Sequence, residues 1–103
     1  VKFNIRTSAQ LLFKAAQAEY APAQNLLATY YINGTGVDRD YKKAIIWLEF
    51  ATNQGNADAF YNLGNCYAKG LGVQKDKAKA SSLYSRAAEL GHEEAKKELK
   101  KVQ

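Results

Sequence analysis

The 103-residue sequence contains one cysteine, one proline, one histidine, one tryptophan and no methionine. A lone Cys66 excludes an internal disulfide and leaves the redox compartment undecided. A lone Pro22 excludes proline-rich linkers and polyproline ligands. The single histidine, His92, has no sequence-neighbouring partner to complete a nucleophile, base and orienting group, so no catalytic constellation is visible. No apolar run approaches the ~20 residues that a membrane-spanning helix needs. No signal-peptide pattern opens the chain. Alternation of apolar and polar residues, the mark of a half-buried strand, never reaches useful length.

Basic residues outnumber acidic ones, 15 to 10, for a net charge of +5. The excess lies in the second half, where lysines are interleaved with glutamates. That pattern describes a solvated helical surface, and no nucleic-acid-binding motif accompanies it, so a nucleic-acid partner is not expected. Hydrophobic residues make up 47% and charged residues 24%, enough for a packed core.

What is present in quantity is repetition. Gly34-Thr35-Gly36-Val37-Asp38-Arg39-Asp40 returns 36 residues later as Gly70-Leu71-Gly72-Val73-Gln74-Lys75-Asp76. At the same offset Ala23, Leu27 and Tyr31 match Ala59, Leu63 and Tyr67; Ala44, Ala51 and Gly55 match Ala80, Ala87 and Gly91. Ala59 and Leu63 match Ala95 and Leu99 in turn, and Val1 falls in phase with Val37. A period in this range denotes a solenoid of stacked helical units.

Helix signals divide each unit. Val1 to Ile5 form a lead-in, and Ser8 is a candidate cap for a first helix that buries Leu11, Leu12, Ala15 and Ala16 and ends near Glu19. Pro22 suits the first turn of the next helix, where its missing N–H is harmless. Gly34 and Gly70 suit the left-handed position at a helix C-terminus. Asp40, Asn56 and Asp76 are expected N-caps. Ala44, Trp47, Leu48 and Ala51 recur at helical spacing, as do Ala80, Leu83, Tyr84, Ala87 and Ala88, and Gly55 and Gly91 close those helices. Ala95, Leu99 and Val102 begin a last helix in register. Gly64, in mid-helix, forgoes roughly 1 kcal/mol of propensity and is expected to admit a close neighbour.

Read for chemistry, the repeated loop yields little. Asp38 and Asp40 lack the ~12-residue ligand spacing of a calcium loop. Gly-x-Gly follows a helix rather than a strand and has no P-loop lysine. Stopping one helix and capping the next explains it better. No metal or cofactor is expected, and Cys66, at the position of Tyr30, reads as a packing residue.

These positions resemble the Sel-one-like repeat, a relative of the tetratricopeptide repeat. Ala59, Leu63, Gly64, Tyr67, Gly70, Gly72, Val73, Asp76, Lys79, Ala80, Ala87, Ala88 and Gly91 carry the resemblance in one copy. Ala23, Leu27, Tyr31, Gly34, Gly36, Val37, Asp40, Lys43, Ala44, Trp47, Ala51 and Gly55 carry it in the other. Departures are Ala28 for the glycine, Thr52 for an alanine, Leu83 for the tryptophan, and Glu19 where a glycine stands in later units, implying a looser first junction. The resemblance implies an all-α right-handed superhelix (solenoid) of antiparallel hairpins. Residues 1–19 would supply the second helix of a preceding unit, 20–55 and 56–91 two complete units, and 92–103 a further first helix. A longer array, with apolar ends open to self-association, is expected. The family's cysteine-stapled subgroup is not matched.

Function is then expected on a surface: a non-enzymatic adaptor or scaffold that holds a protein or peptide in the concave groove lined by first helices. The groove positions are Asn25 and Thr29, then Tyr61, Asn62 and Asn65, then Lys97 and Lys101. Asparagine and tyrosine suit a peptide backbone, and the lysines suit an acidic partner. The related carboxylate clamp would be incomplete, because Asn25 and Thr29 hold two of its places. The alternatives are a structural spacer and a regulatory subunit that binds a small ligand.

Overall fold

The computed structural model describes residues 5–101. They form α1 (Ile5–Gln17), α2 (Ala21–Asn33), α3 (Tyr41–Asn53), α4 (Ala57–Lys69), α5 (Lys77–Glu89) and α6 (Glu93–Lys101), with no strand among them. Consecutive helices pack as antiparallel neighbours, and the body measures 49 × 24 × 22 Å, elongated along the stacking direction. α2 with α3 and α4 with α5 are the two complete hairpins. Val1 and Val102 lie outside the described residues.

Each boundary has a local cause. Carboxylate oxygens of Asp40 and Asp76 accept from the Lys43 and Lys79 amides at 3.1 and 3.0 Å, and Asn56 accepts from Ala59 at 2.8 Å. These satisfy amides that have no partner within the first turn. Gly34 and Gly70 adopt φ of +70° and +73° and return their N–H to Tyr30 and Cys66. Ser8 is not a cap: α1 has already begun at Ile5, and Ser8 lies a turn inside it.

The loop glycines also join the units. A Cβ on Gly72, itself at φ +72°, would lie 2.7 Å from the Tyr41 carbonyl oxygen. The loop of the second unit therefore rests directly on the first turn of α3, where only glycine fits.

The expectation of a looser junction at Glu19 is wrong. Glu19 takes φ +65°, the left-handed conformation of its glycine counterparts. The turn closes through Glu19 N–H to Ala16 and Tyr20 N–H to Ala15, matching Gly55 to Thr52 and Asn56 to Ala51. The packed helices impose the turn on a residue that tolerates it poorly.

Small residues set the helix spacing. Ala28, Ala44, Ala51, Ala59, Ala87 and Ala95 are fully buried, with Leu27 and Leu48 between them. Gly64 faces the Tyr84 ring, and Ala28 and Leu48 hold the same positions one unit earlier: the larger partner goes with the smaller residue. Trp47 is not fully in the core; half-buried, it meets Phe13 edge-on at 5.7 Å and Phe50 at 5.6 Å. Leu11, expected inside, is 63% exposed.

The two ends differ in chemistry. At the N-terminal end Leu11 is joined by Leu26, 45% exposed. At the C-terminal end Lys96 and Lys100 are exposed where Phe60 and Gly64 are buried one unit earlier.

Candidate interaction surface

α2, α4 and α6 are successive first helices, and the predicted groove positions fall on them. Asn62 donates its side-chain N–H to Asn25 Oδ1 at 2.9 Å, tying α4 to α2. The Tyr84 hydroxyl donates to Asn65 Oδ1 at 2.6 Å, tying α5 to α4. Thr29 turns its hydroxyl to the Leu26 carbonyl within α2. Thr29, Asn62 and Asn65, with Ile32, Asn33, Cys66, Lys69 and Leu71, line a hollow of about 190 Å³. Lys97 and Lys101 pair with Glu94 and Glu98 at 3.5 and 3.1 Å along α6. Neither lysine touches the asparagine pair through an interaction seen in the structure.

Tyr61 leads to a feature that sequence reasoning only touched. Its ring stacks on His92 at 4.5 Å. His92 Nδ1 accepts the Ala95 N–H at 3.1 Å, capping α6, while Nε2–H donates to Asp58 Oδ1 at 3.0 Å. With Nδ1 accepting from the backbone, Nε2 is the ring nitrogen that donates to Asp58. His92 is thus the second side-chain cap of a first helix, after Asn56, and it is tied to α4 by both Asp58 and Tyr61.

Burial removes other groups from chemistry. Cys66 is 1% exposed, and burial pushes its thiol up to about 11, against a smaller opposing pull from Lys69. Burial, then Glu98, Tyr61 and Cys66, pushes the Tyr84 hydroxyl up to about 12. The Lys96 hydrogen bond holds the exposed Glu93 carboxyl below its usual range.

Gln24, buried, had no signal in the sequence beyond its position. Its Nε2 donates to the Ala16 carbonyl at 3.1 Å, and its Oε1 accepts from Gln54 at 2.9 Å. A polar residue at a core position is legible only once both partners are in place. No three potential metal ligands cluster among the described residues, and none of their helices is long and apolar enough to cross a membrane.

Two successive hairpins, their loop seated on the preceding unit, define a helical-repeat protein of the solenoid class. The Sel1 repeat matches residues 21–56 and 57–92, and the chain belongs to the Sel1 repeat family. It is 32% identical over 90 residues to the DAP3-binding cell death enhancer 1 of Rattus norvegicus, covering 87% of this chain and 17% of that protein. It is 42% identical over 72 residues to the ERAD-associated E3 ubiquitin-protein ligase component HRD3B of Arabidopsis thaliana, covering 69% of this chain and 11% of the relative. A Sel1 repeat protein from Oxalobacter formigenes superposes with a TM-score of 0.87 at 34% identity, over 89% of this chain and 27% of that one. The chain spans less than a fifth of the length of either of these two curated relatives. Sel1 repeats generally serve as protein–protein interaction modules and non-catalytic scaffolds.

Proposed function

We propose that this chain is an adaptor module that holds a protein or peptide, acidic in character, along the face formed by α2, α4 and α6. The observation that carries the reading is the polar row Asn25, Thr29, Asn62 and Asn65, the last three of them lining one hollow, on helices that the Asn62–Asn25 bond ties side by side. Each asparagine amide has more hydrogen-bonding capacity than its one internal bond uses, so a backbone laid along the row finds donors and acceptors. Lys97 and Lys101, paired along α6 with exposed Glu94 and half-buried Glu98, can exchange those glutamates for acids of a ligand at little loss. Two relatives, a DAP3-binding protein and a component of an E3 ubiquitin-protein ligase, support the same reading.

The test follows from the geometry. Alanine at Tyr61 or Asn65 would disturb the His92 stack or the Tyr84 bond, confusing binding with folding. Thr29→Ala and Lys97→Glu/Lys101→Glu leave packing intact. With an acidic peptide selected by display against the chain, both should weaken binding at unchanged melting temperature. Undiminished affinity in both refutes the groove.

One observation favours a structural spacer instead: Asn25–Asn62 and Asn65–Tyr84 are bonds between helices and already rigidify the stack. Display that selects no peptide is the outcome of that reading. Self-association belongs to the same proposal and is assigned to the N-terminal end, where Leu11 and Leu26 are exposed, rather than to the lysine-bearing C-terminal end. Leu11→Lys/Leu26→Asn should then abolish any concentration-dependent dimer in sedimentation.

A further inference from the structure

A second surface lies on the opposite side, in the furrow between the second helices α1 and α3. Here Phe13, Trp47 and Phe50 form one aromatic cluster. Phe13 is 37% exposed and Phe50 50%, and Ile46, one turn before Phe50, is 52% exposed. Beside Trp47 and Phe50 lies an open hollow of about 690 Å³, with Ala16 and Gln24 on its wall and Gln17, Glu19, Asn53 and Gln54 around it.

The repeat supplies its own control. One period later, Ile46 and Phe50 are replaced by Ser82 and Arg86. Arg86 lies over the Phe60 ring at 5.2 Å, against the neighbouring first helix. The fold therefore does not require apolar residues at these two positions. Their apolarity in the first unit is a property of the surface, and an aromatic cluster with a polar rim has the composition of an interface core.

Charge and shape select the occupant. α1 and α3 together carry four basic side chains, Arg6, Lys14, Lys42 and Lys43, and one acid, Glu49. Lys42 and Lys43 stand within a turn of Ile46, and Lys14 adjoins Phe13. Glu19 and Glu49 are acids of this side, and Asp38 and Asp40 share a hollow with Arg6 and Lys43, so Lys14 and Lys42 are the bases set apart from them. A second copy placed face to face would oppose lysine to lysine. A lipid surface calls for protruding apolar tips, whereas Trp47 lies beside a hollow, and a partner's side chain can enter it.

We infer that the α1–α3 furrow docks an acidic peptide segment of another protein, one that inserts a leucine or phenylalanine beside Trp47 and places its carboxylates against Lys14 and Lys42. This surface is separate from the α2–α4–α6 face, and neither proposal depends on the other.

Trp47 is the sole tryptophan, so its emission reports on the site directly. The probe is a synthetic peptide with leucine and phenylalanine four residues apart among glutamates. Controls are the same peptide with lysine for glutamate, and phosphatidylserine vesicles. The acidic peptide should shift Trp47 emission saturably, and the lysine peptide should bind at least tenfold more weakly. Ile46→Ser/Phe50→Arg, which copies the second unit, should lose tenfold or more in affinity despite its added positive charge. Lys14→Glu/Lys42→Glu, a surface change that leaves the apolar residues in place, should do the same. The proposal is overturned if neither double variant alters binding, if the two peptides bind equally, if no saturation is reached, or if only vesicles shift the emission.

Discussion

Replacing Gly64 by alanine tests how the units are packed. By helix propensity alone the change should stabilise α4 by up to about 1 kcal/mol. Its surroundings reverse that sign. The new Cβ would lie 2.8 and 2.9 Å from two carbons of the Tyr84 ring and 3.4 Å from the Ala80 carbonyl oxygen. Ordinary carbon contacts begin near ~3.5 Å. The ring must therefore withdraw by roughly 0.7 Å, yet it is buried and its hydroxyl is held by Asn65 at 2.6 Å. Overpacking costs about 1–3 kcal/mol, and a buried ring held by its hydroxyl puts this case at about 2–3, leaving a net loss of about 1–2 after the propensity gain. At about 4–8 °C per kcal/mol for a domain near this size, melting should fall by roughly 5–15 °C. The first unit indicates the rescue: it pairs Ala28 with Leu48 at the same positions. Gly64→Ala/Tyr84→Leu should be more stable than the sum of its single changes predicts, by about 1 kcal/mol or more. Urea denaturation of the four proteins measures this coupling. A single Gly64→Ala variant that is more stable than the parent, with an additive cycle, would refute the reasoning.

Gly72→Ala should be worse than Gly55→Ala. Both residues have positive φ, but a Cβ at Gly72 meets the Tyr41 carbonyl at 2.7 Å, while one at Gly55 meets nothing within 4 Å. We expect losses of about 2–4 and about 1 kcal/mol by denaturant midpoint, and equal values would remove the loop contact from the account. Glu19→Gly should stabilise by about 0.5–1 kcal/mol, because glycine accepts the left-handed turn that glutamate resists; an unchanged melting temperature would count against that. Cys66 should resist thiol reagents at pH 8 until the chain is unfolded. Its thiol ionises near 9.0 when unfolded and near 11 when folded, so above pH 9 the unfolded chain holds fewer protons and stability falls as pH rises to about 11. Tyr84, raised from 10.0 to about 12, extends the fall, and stability that is flat over this range would contradict both burials.

Much of the fold was legible because its determinants are local or periodic. Asp40 and Asp76 cap the helices that follow them, and Gly34 and Gly70 take the left-handed angles that helix termini demand. Ser8 misled because a serine ahead of an apolar run resembles a cap wherever it falls. Trp47 and Leu11 misled because helical spacing gives the face and not its cover. Glu19 was read by its own preference, whereas the packed helices decide its conformation. The candidate site was legible only as a set of positions. That Asn25 bonds to Asn62, and Asn65 to Tyr84, depends on side chains from different units, and no spacing within one helix predicts it. Ile46 and Phe50 did carry a signal: they break the repeat where Ser82 and Arg86 show that polarity is allowed.

Backbone amide shift mapping by NMR of the Ile46→Ser/Phe50→Arg chain, in which the α1–α3 furrow is disabled, during titration with an acidic peptide selected against that chain, tests the adaptor reading most directly. Saturable shifts are expected to cluster on Thr29, Asn62, Asn65, Lys97 and Lys101, along α2, α4 and α6. Saturable binding that leaves this face unperturbed would contradict that reading.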